Sequence, residues 1–176
     1  MKQCDRVLAT GGGAMVKAAY SSGTPALGVG AGNAVITVDE SADLDDAAEK
    51  IRISKTLDLA ASCSSDNSVI VLEAVYDQML EKLQAQGGYV VDEQEKQKLQ
   101  NIIWEDGHIA SRIVAQPADK LAEMAGIKLP EGKTFFMVPE TGAGVAYPFS
   151  GEKMSVTMAF YNCLLYTSDA ADEADG

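Results

Sequence analysis

Cys63 is the residue of this sequence whose type and surroundings best fit covalent chemistry. It stands in a run of small and hydroxylated residues, Ala61-Ser62-Cys63-Ser64-Ser65, and a strand-like run, SVIVL, begins five residues after it. A thiolate attacks a carbonyl carbon far more readily than a hydroxyl does, and a loop position keeps the sulfur accessible. The common alternative for a cysteine is a small buried hydrophobe. The residue types leave both interpretations open.

His108, the only histidine in the chain, would be the obvious base for a Cys-His pair. It lies in WEDGHIAS, which is typical of a surface turn, where an exposed histidine is the more common state. Activation of Cys63 therefore need not come from a histidine. The other two cysteines, Cys4 and Cys163, form no CxxC spacing, which argues against a disulfide framework and against a metal site.

Two glycine-rich runs could bring backbone N–H groups close to a ligand. Gly11-Gly12-Gly13 precedes a helical pattern and could cradle a phosphate, but it does not match a P-loop and is a poor version of G-x-G-x-x-G. A tight turn is the simpler interpretation. In GVGAGN, the glycines at 28, 30 and 32 indicate that another chain segment or a flat ligand ring passes close to the backbone.

The elements around these residues predict an α/β fold with a largely parallel sheet, because strand-like runs alternate with helical periodicity. The predicted strands are DRVLAT, Ala34–Val38, SVIVL, the start of ASRIVAQP, and KTFFMVP. The predicted helices are AMVKAAYSSG, the segment from Ser41 to Ala60 with Ser41 or Asp43 as N-cap, AVYDQMLEKLQAQGG, DEQEKQKLQNIIWEDG, and a helix after Pro117.

Length, composition and charge limit the classes of function. The 176 residues suffice for one sizeable domain or for parts of two, and 47% are apolar. No run of about 18 consecutive apolar residues and no apolar leader are present, so we expect a cytoplasmic protein that does not engage a membrane. The formal net charge of −12 argues against nucleic acid as a partner, because phosphate binding depends on clustered Lys and Arg.

Four motifs taken together resemble one protein family. They are ATGGGAMVKAAYSSGTPALGVGAGN, DESADLDDAAEKIRISKT, SCSSDNSVIV around Cys63, and PFSGEKMSVTMAFY near the end. Their order and spacing are similar to those of the coenzyme A-acylating aldehyde dehydrogenases. With GHIASRIVAQPA downstream, the Cys63 segment is most similar to the members that act on sulfoacetaldehyde. The resemblance implies an aldehyde dehydrogenase-like α/β fold.

The resemblance also implies roles for individual residues. Cys63 would attack the aldehyde, hydride would pass to NAD or NADP, and coenzyme A would capture the thioester left on Cys63. The backbone N–H of Cys63 would supply one oxyanion donor. Thr10, Gly11 and Gly30 would lie at the cofactor, and Glu152 matches the glutamate that holds the nicotinamide ribose.

Val29 distinguishes acyl transfer from hydrolysis within this resemblance. It stands where hydrolytic aldehyde dehydrogenases carry the glutamate that activates water, and an apolar side chain cannot deprotonate water. The thioester would therefore wait for a thiol. A hydrolytic aldehyde dehydrogenase is disfavoured on this ground, and a non-catalytic α/β domain is the third possibility.

The resemblance divides the chain into regions. Residues 1–33 would end the NAD(P)-binding domain, 34–150 would form the catalytic domain that bears Cys63, and 151–161 would return toward the cofactor domain. Residues 162–176 resemble translated adapter sequence and would be a non-native tail. Because members of the family are much longer, we expect a fragment with little activity alone and a homo-oligomer when full length.

Two local features bear on the aldehyde. Leu57 and Leu59 stand in a segment where acylating relatives commonly show Phe-Asp-Asn, which predicts an altered pocket wall ahead of Cys63. A sulfonate substrate would need a cationic or N–H-rich pocket, because a charged group that leaves water needs compensation. The candidates for that pocket are Lys55, Arg112 and Lys153.

Overall fold

The computed structural model describes residues 1–30 and 32–164, which form two compact units. The first unit is Met1–Gly32 and the second begins at Asn33. Their assignment to a cofactor domain and a catalytic domain stays a prediction. Most of the predicted non-native tail, residues 165–176, lies outside the described residues.

The first unit is a strand-helix-strand arrangement. Strand β1 (Val7–Thr10) leads into helix α1 (Gly13–Tyr20), and β2 (Ala26–Val29) pairs with β1 in parallel. Strand β2 was not predicted, because Gly28 and Pro25 favour a turn in isolation. A Cβ on Gly28 would lie 2.5 Å from Val16 Cγ1. The segment that passes close to this glycine is therefore helix α1.

The second unit contains a five-stranded sheet in which every neighbouring pair is parallel. Its order is β3-β4-β9-β8-β5. The bounds are β3 (Ala34–Val38), β4 (Asp66–Leu72), β5 (Gly88–Val90), β8 (Phe135–Pro139) and β9 (Thr157–Cys163). This arrangement confirms the predicted α/β class and the parallel sheet.

Strand β9 belongs to the sheet of the second unit, where its Ala159 pairs with Ser68 of β4. The predicted return of residues 151–161 toward the cofactor domain stays a prediction. The strand continues through Asn162 and Cys163, opposite Val71 and Leu72. Asn162 and Cys163, the first two residues of the predicted tail, thus lie in β9, and the non-native origin of the tail stays a prediction.

The described residues of this unit also form four α-helices, with bounds α2 (Leu44–Thr56), α3 (Tyr76–Ala85), α4 (Glu93–Ile103) and α5 (Ala118–Ala125). Of the two predicted N-caps for α2, Asp43 is the one observed, and its side chain accepts from the N–H groups of Asp45 and Asp46. Helix α5 starts after Pro117, as predicted. In the part of the chain that the structure describes, no helix is both long and apolar enough to cross a lipid bilayer.

The predicted strand at ASRIVAQP is wrong. Ser111–Ile113 form a short 3-10 turn in which Ile113 is buried, and Ala115 has a φ of 54°, which ends any extended run. Before it, β6 (Trp104–Glu105) and β7 (His108–Ile109) make a small antiparallel hairpin. Burial of Ile113 in the core decides the local conformation here.

The core of the second unit lies between the sheet and its helices. The apolar run of β8 is buried over its first four residues, which fits a strand covered on both faces. The fully buried side chains packed there include Leu83, Leu99, Leu121, Phe135, Phe136 and Phe160. This core includes residues of β4 and β9, the strands that follow the candidate catalytic residue Cys63 and the candidate cofactor-binding residue Glu152.

Candidate active site

Cys63 lies in an exposed turn between a short 3-10 helix, Leu57–Ala60, and strand β4. The Ser65 N–H donates to the Ser62 carbonyl at 3.1 Å and closes the turn. The thiol is open to solvent, so Cys63 is not the small buried hydrophobe that was the alternative. Its role as a nucleophile stays a prediction, which this accessibility supports.

The backbone N–H of Cys63 is available as a hydrogen-bond donor. Its neighbours are satisfied within the turn, since the Ser64 N–H donates to Ser62 Oγ at 3.3 Å and the Ser65 N–H donates to the Ser62 carbonyl. Among the described residues, nothing accepts from the Cys63 N–H. A free N–H beside a nucleophile can stabilise an oxyanion.

Side chains from the last turn of α2 hydrogen-bond to both backbone groups of Asp66, the residue at which the Cys63 turn joins β4. The Asp66 N–H donates to Ser54 Oγ at 3.1 Å, and Lys55 Nζ donates to the Asp66 carbonyl at 2.9 Å. Lys55 is fully buried, and this burial lowers its pKa to about 7, although the Asp66 carboxylate opposes the shift. Burial in turn raises the pKa of the Asp66 carboxyl.

The segment ahead of the turn has an unusual backbone. Asp58, Leu59 and Ala60 have φ values of 47°, 53° and 59°. The left-handed region costs a residue with a side chain about 1–2 kcal/mol. Leu59, one of the two residues predicted to alter the pocket wall, lies within this strained segment, and Leu57 lies directly before it. The segment ends at Ala60, three residues before Cys63.

Glu152 lies at the same edge of the sheet as Cys63. Cys63 precedes β4 and Glu152 precedes β9, and these strands are parallel neighbours. The residues just before two such strands meet at one edge of the sheet. The segments that carry these two residues therefore lie at one edge of the sheet, although they are far apart in the sequence.

The carboxylate of Glu152 has no hydrogen bond or ion pair within the described residues, and its side chain is half-buried. The next residue, Lys153, is fully buried, and its Nζ donates to the carbonyls of Phe149 at 2.5 Å and Gly151 at 2.7 Å. Burial, followed by the positive charge of Lys55, lowers the pKa of Lys153 to about 6, while Glu140 and Glu152 oppose the shift.

The predicted cofactor residues of the first unit also share one edge. Thr10 and Val29 pair at the carboxyl ends of β1 and β2, Gly30 follows directly, and the Gly11 N–H donates to the Val29 carbonyl at 3.2 Å. Gly11 has a φ of 144°, which favours glycine. Nucleotides commonly bind outside the carboxyl ends of parallel strands.

The remaining candidates have other partners. His108 is exposed on β7, opposite Glu105, in the hairpin. Arg112 forms an ion pair with Glu105, and the buried amines of Lys55 and Lys153 donate to backbone carbonyls. None of the three cations proposed for a sulfonate is thus free among the described residues.

One cleft of the second unit does not include Cys63 or Glu152 among its lining residues. Its volume is about 520 Å³, and it opens on the face of the sheet opposite the core residues Val69 and Val71. Its lining includes Asn33, Val35, Ser68, Ile70, Gly142 and Tyr161. The candidate residues Cys63 and Glu152 lie at the strand edge instead.

Sequence reasoning missed Asn67. Its amide Oδ1 accepts from the Lys153 N–H at 3.1 Å, and its Nδ2 donates to the Ser65 carbonyl at 3.3 Å. The available signal was a polar residue at the start of an otherwise apolar strand, DNSVIVL.

Comparison with known proteins identifies the relatives of this chain. A model of the aldehyde dehydrogenase family matches residues 2–104. The sulfoacetaldehyde dehydrogenase (acylating) of Cupriavidus necator is 48% identical over 163 residues, which is 92% of this chain and 33% of that protein. This chain therefore spans about a third of the length of that curated relative.

Solved structures have the same fold. An acetylating aldehyde dehydrogenase from Geobacillus thermoglucosidasius matches with a TM-score of 0.90 and 41% identity, over 97% of this chain and 38% of that chain. A Rhodopseudomonas palustris propionaldehyde dehydrogenase with bound propionyl-CoA matches with a TM-score of 0.85 and 28% identity, over 97% of this chain and 37% of that chain.

Proposed function

The chain belongs to the aldehyde dehydrogenase family, and on that premise we propose that it supplies the nucleophile for converting an aldehyde to its acyl-CoA with reduction of NAD or NADP. The observation that carries the proposal is the exposed Cys63 in a closed turn with its own N–H free. Glu152, at the same edge of the sheet, offers an unpaired carboxylate to the cofactor.

The reaction follows from these groups. The Cys63 thiolate attacks the aldehyde carbon, and the oxyanion that forms accepts a hydrogen bond from the Cys63 N–H. Bound NAD or NADP would supply the hydride acceptor, so that loss of hydride from this adduct would leave a thioester on Cys63. The thiol of coenzyme A then loses its proton to solvent and attacks the thioester carbonyl, the carbon–sulfur bond to Cys63 breaks, and the acyl-CoA and the Cys63 thiolate are released.

The residues fit a nicotinamide nucleotide. A carboxylate accepts hydrogen bonds only, so Glu152 suits the hydroxyl groups of a ribose. At the strand edge of the first unit, the backbone of Gly11 and Gly30 carries no side chain, and a Cβ on Gly30 would meet nothing within 4 Å. We assign Thr10, Gly11 and Gly30 to cofactor contacts.

Acyl transfer is favoured over hydrolysis by Val29, an exposed apolar residue where hydrolytic members carry a glutamate. The substrate we propose is a short aldehyde of the sulfoacetaldehyde or acetaldehyde class. The names of the Cupriavidus necator and Geobacillus thermoglucosidasius relatives support this class.

We also propose a cytoplasmic location and a homo-oligomer. Cys4 and Cys63 carry exposed free thiols, which a reducing compartment preserves. Leu8 and Leu27 are exposed by 73% and 71%. Exposed apolar side chains of this kind fit a surface that is covered in an assembly.

The test uses a chimera in which the matched residues of this chain replace the corresponding third of the Cupriavidus necator relative. Formation of NAD(P)H is followed with sulfoacetaldehyde or acetaldehyde, with and without coenzyme A. We expect turnover to require coenzyme A and to fall more than about 10³-fold in Cys63→Ala, because the nucleophile is lost. Cys4→Ala is the matched control and should retain the rate.

Two results would contradict the proposal. Free acid formed without coenzyme A would identify a hydrolytic enzyme and overturn the argument from Val29. Full turnover in Cys63→Ala would show that another group is the nucleophile.

A further inference from the structure

We propose that Asn67 is a positioning residue that ties the turn bearing Cys63 to the loop bearing Glu152, with Lys55 and Lys153 securing the two ends of the link. The inference rests on the proposed function, since that function makes Cys63 and Glu152 the working groups.

The link consists of one side-chain amide. Asn67 is 3% exposed, and its Oδ1 accepts from the Lys153 N–H while its Nδ2 donates to the Ser65 carbonyl. Ser65 is two residues from Cys63, and Lys153 directly follows Glu152. Only Asn and Gln carry an acceptor and a two-proton amide donor on one planar group, and Gln is one methylene longer.

Lys55 and Lys153 hold the two backbone segments that the Asn67 amide connects. Lys153 Nζ donates to the carbonyls of Phe149 and Gly151, so it holds the loop that leads into Glu152. Lys55 Nζ donates to the Asp66 carbonyl, so it holds the end of the Cys63 turn. The two amines therefore bind backbone at the two segments that Asn67 links, Lys55 at the Cys63 turn and Lys153 at the Glu152 loop.

Stability alone does not explain why the amines of Lys55 and Lys153 are buried. Lys55 and Lys153 are 0% exposed, and within the described residues neither forms an ion pair. Apolar side chains of similar volume would avoid the cost of burying a cationic or polar group. The charged groups that face them are Asp66 for Lys55, and Glu140 and Glu152 for Lys153, besides the two amines themselves.

The test is amide hydrogen exchange on the full 176-residue chain, read by mass spectrometry. In Asn67→Leu we expect exchange to accelerate together in the Cys63 turn and in residues 149–153, by about five-fold, the factor for loss of one net hydrogen bond. The matched control is Ser68→Ala, the next residue of β4, whose buried hydroxyl has no partner in the described structure.

Asn67→Asp separates the two sides of the link and keeps the test informative if the leucine variant does not fold. The carboxylate still accepts from the Lys153 N–H but cannot donate to the Ser65 carbonyl. We expect faster exchange in the Cys63 turn alone, with residues 149–153 unchanged. A merely stabilising side chain would not produce this asymmetry.

The inference is overturned if Asn67→Leu leaves either segment at the wild-type rate, or if Asn67→Asp affects both segments equally. Alkylation of Cys63 relative to Cys4 is measured in the same wild-type samples. Equal alkylation with coupled exchange would count against the proposed function only. Fast alkylation of Cys63 without coupled exchange would count against Asn67 only.

Discussion

At the scale of single residues, Cys63 depends on the groups that hold the peptide units around it. Its turn is closed by the Ser65 N–H and joined to α2 through both backbone groups of Asp66. A thiol in a fixed turn with its own N–H free can present a substrate oxygen to that donor without reorganisation. Two fully buried lysines complete this arrangement.

These lysines predict a pH dependence of stability. Burial lowers the pKa of Lys55 to about 7 and of Lys153 to about 6, from the ordinary value of 10.5. Between about pH 7 and pH 10 the unfolded chain therefore binds protons that the folded chain does not, so a rise in pH favours folding. The free energy of unfolding should increase by about 1.4 kcal/mol per pH unit for each neutral lysine.

The measurement is urea unfolding at several pH values between about 7 and 9.5. Lys55→Met and Lys153→Met should each lower the slope of the unfolding free energy against pH by the contribution of one lysine. This holds whatever effect they have on the absolute stability. Lys128→Met, at an exposed lysine, is the matched control for loss of one positive charge. An unchanged slope in both variants would contradict the claim that burial lowers the pKa of Lys55 and of Lys153 in the folded chain.

At the scale of elements, local pattern predicted much of the architecture. Strand Ala34–Val38 and the helix after Pro117 were predicted from residue type and periodicity, and the observed cap Asp43 was one of two predicted N-caps. Strands β2 and β5 were missed because they are short and contain glycine, so pairing with distant strands defines them.

The same limit applies to the site. Cys63 was found from its neighbours in the sequence. Asn67, by contrast, accepts a hydrogen bond from the Lys153 N–H, and these two residues become neighbours only when the chain folds. Residue types in one segment carry no information on such a partner.

Gly28 gives a prediction for the packing of α1 on β2. In Gly28→Ala the new methyl group would meet Val16 and Tyr20 at 2.5 Å and 2.8 Å, and overpacking of this kind costs about 1–3 kcal/mol. We expect faster amide exchange in β1 and β2. Gly30→Ala is the control, because a Cβ there meets nothing within 4 Å; equal effects of the two variants would contradict the packing argument.

At the scale of the whole molecule, the order of the sheet creates the candidate site. Because β4 and β9 are neighbours and parallel, the segments before them lie at one edge, and these segments carry Cys63 and Glu152. The first unit places Thr10, Gly11 and Gly30 at the carboxyl edge of its own strands.

The most direct test of the central claim is the mass of the Cys63 peptide from the chimera, after incubation with aldehyde and NAD or NADP but without coenzyme A. We predict that this peptide gains one acyl group and loses it when coenzyme A is added. Formation of NAD(P)H with an unmodified Cys63 peptide, or acylation at another residue, would contradict the assignment of Cys63 as the nucleophile.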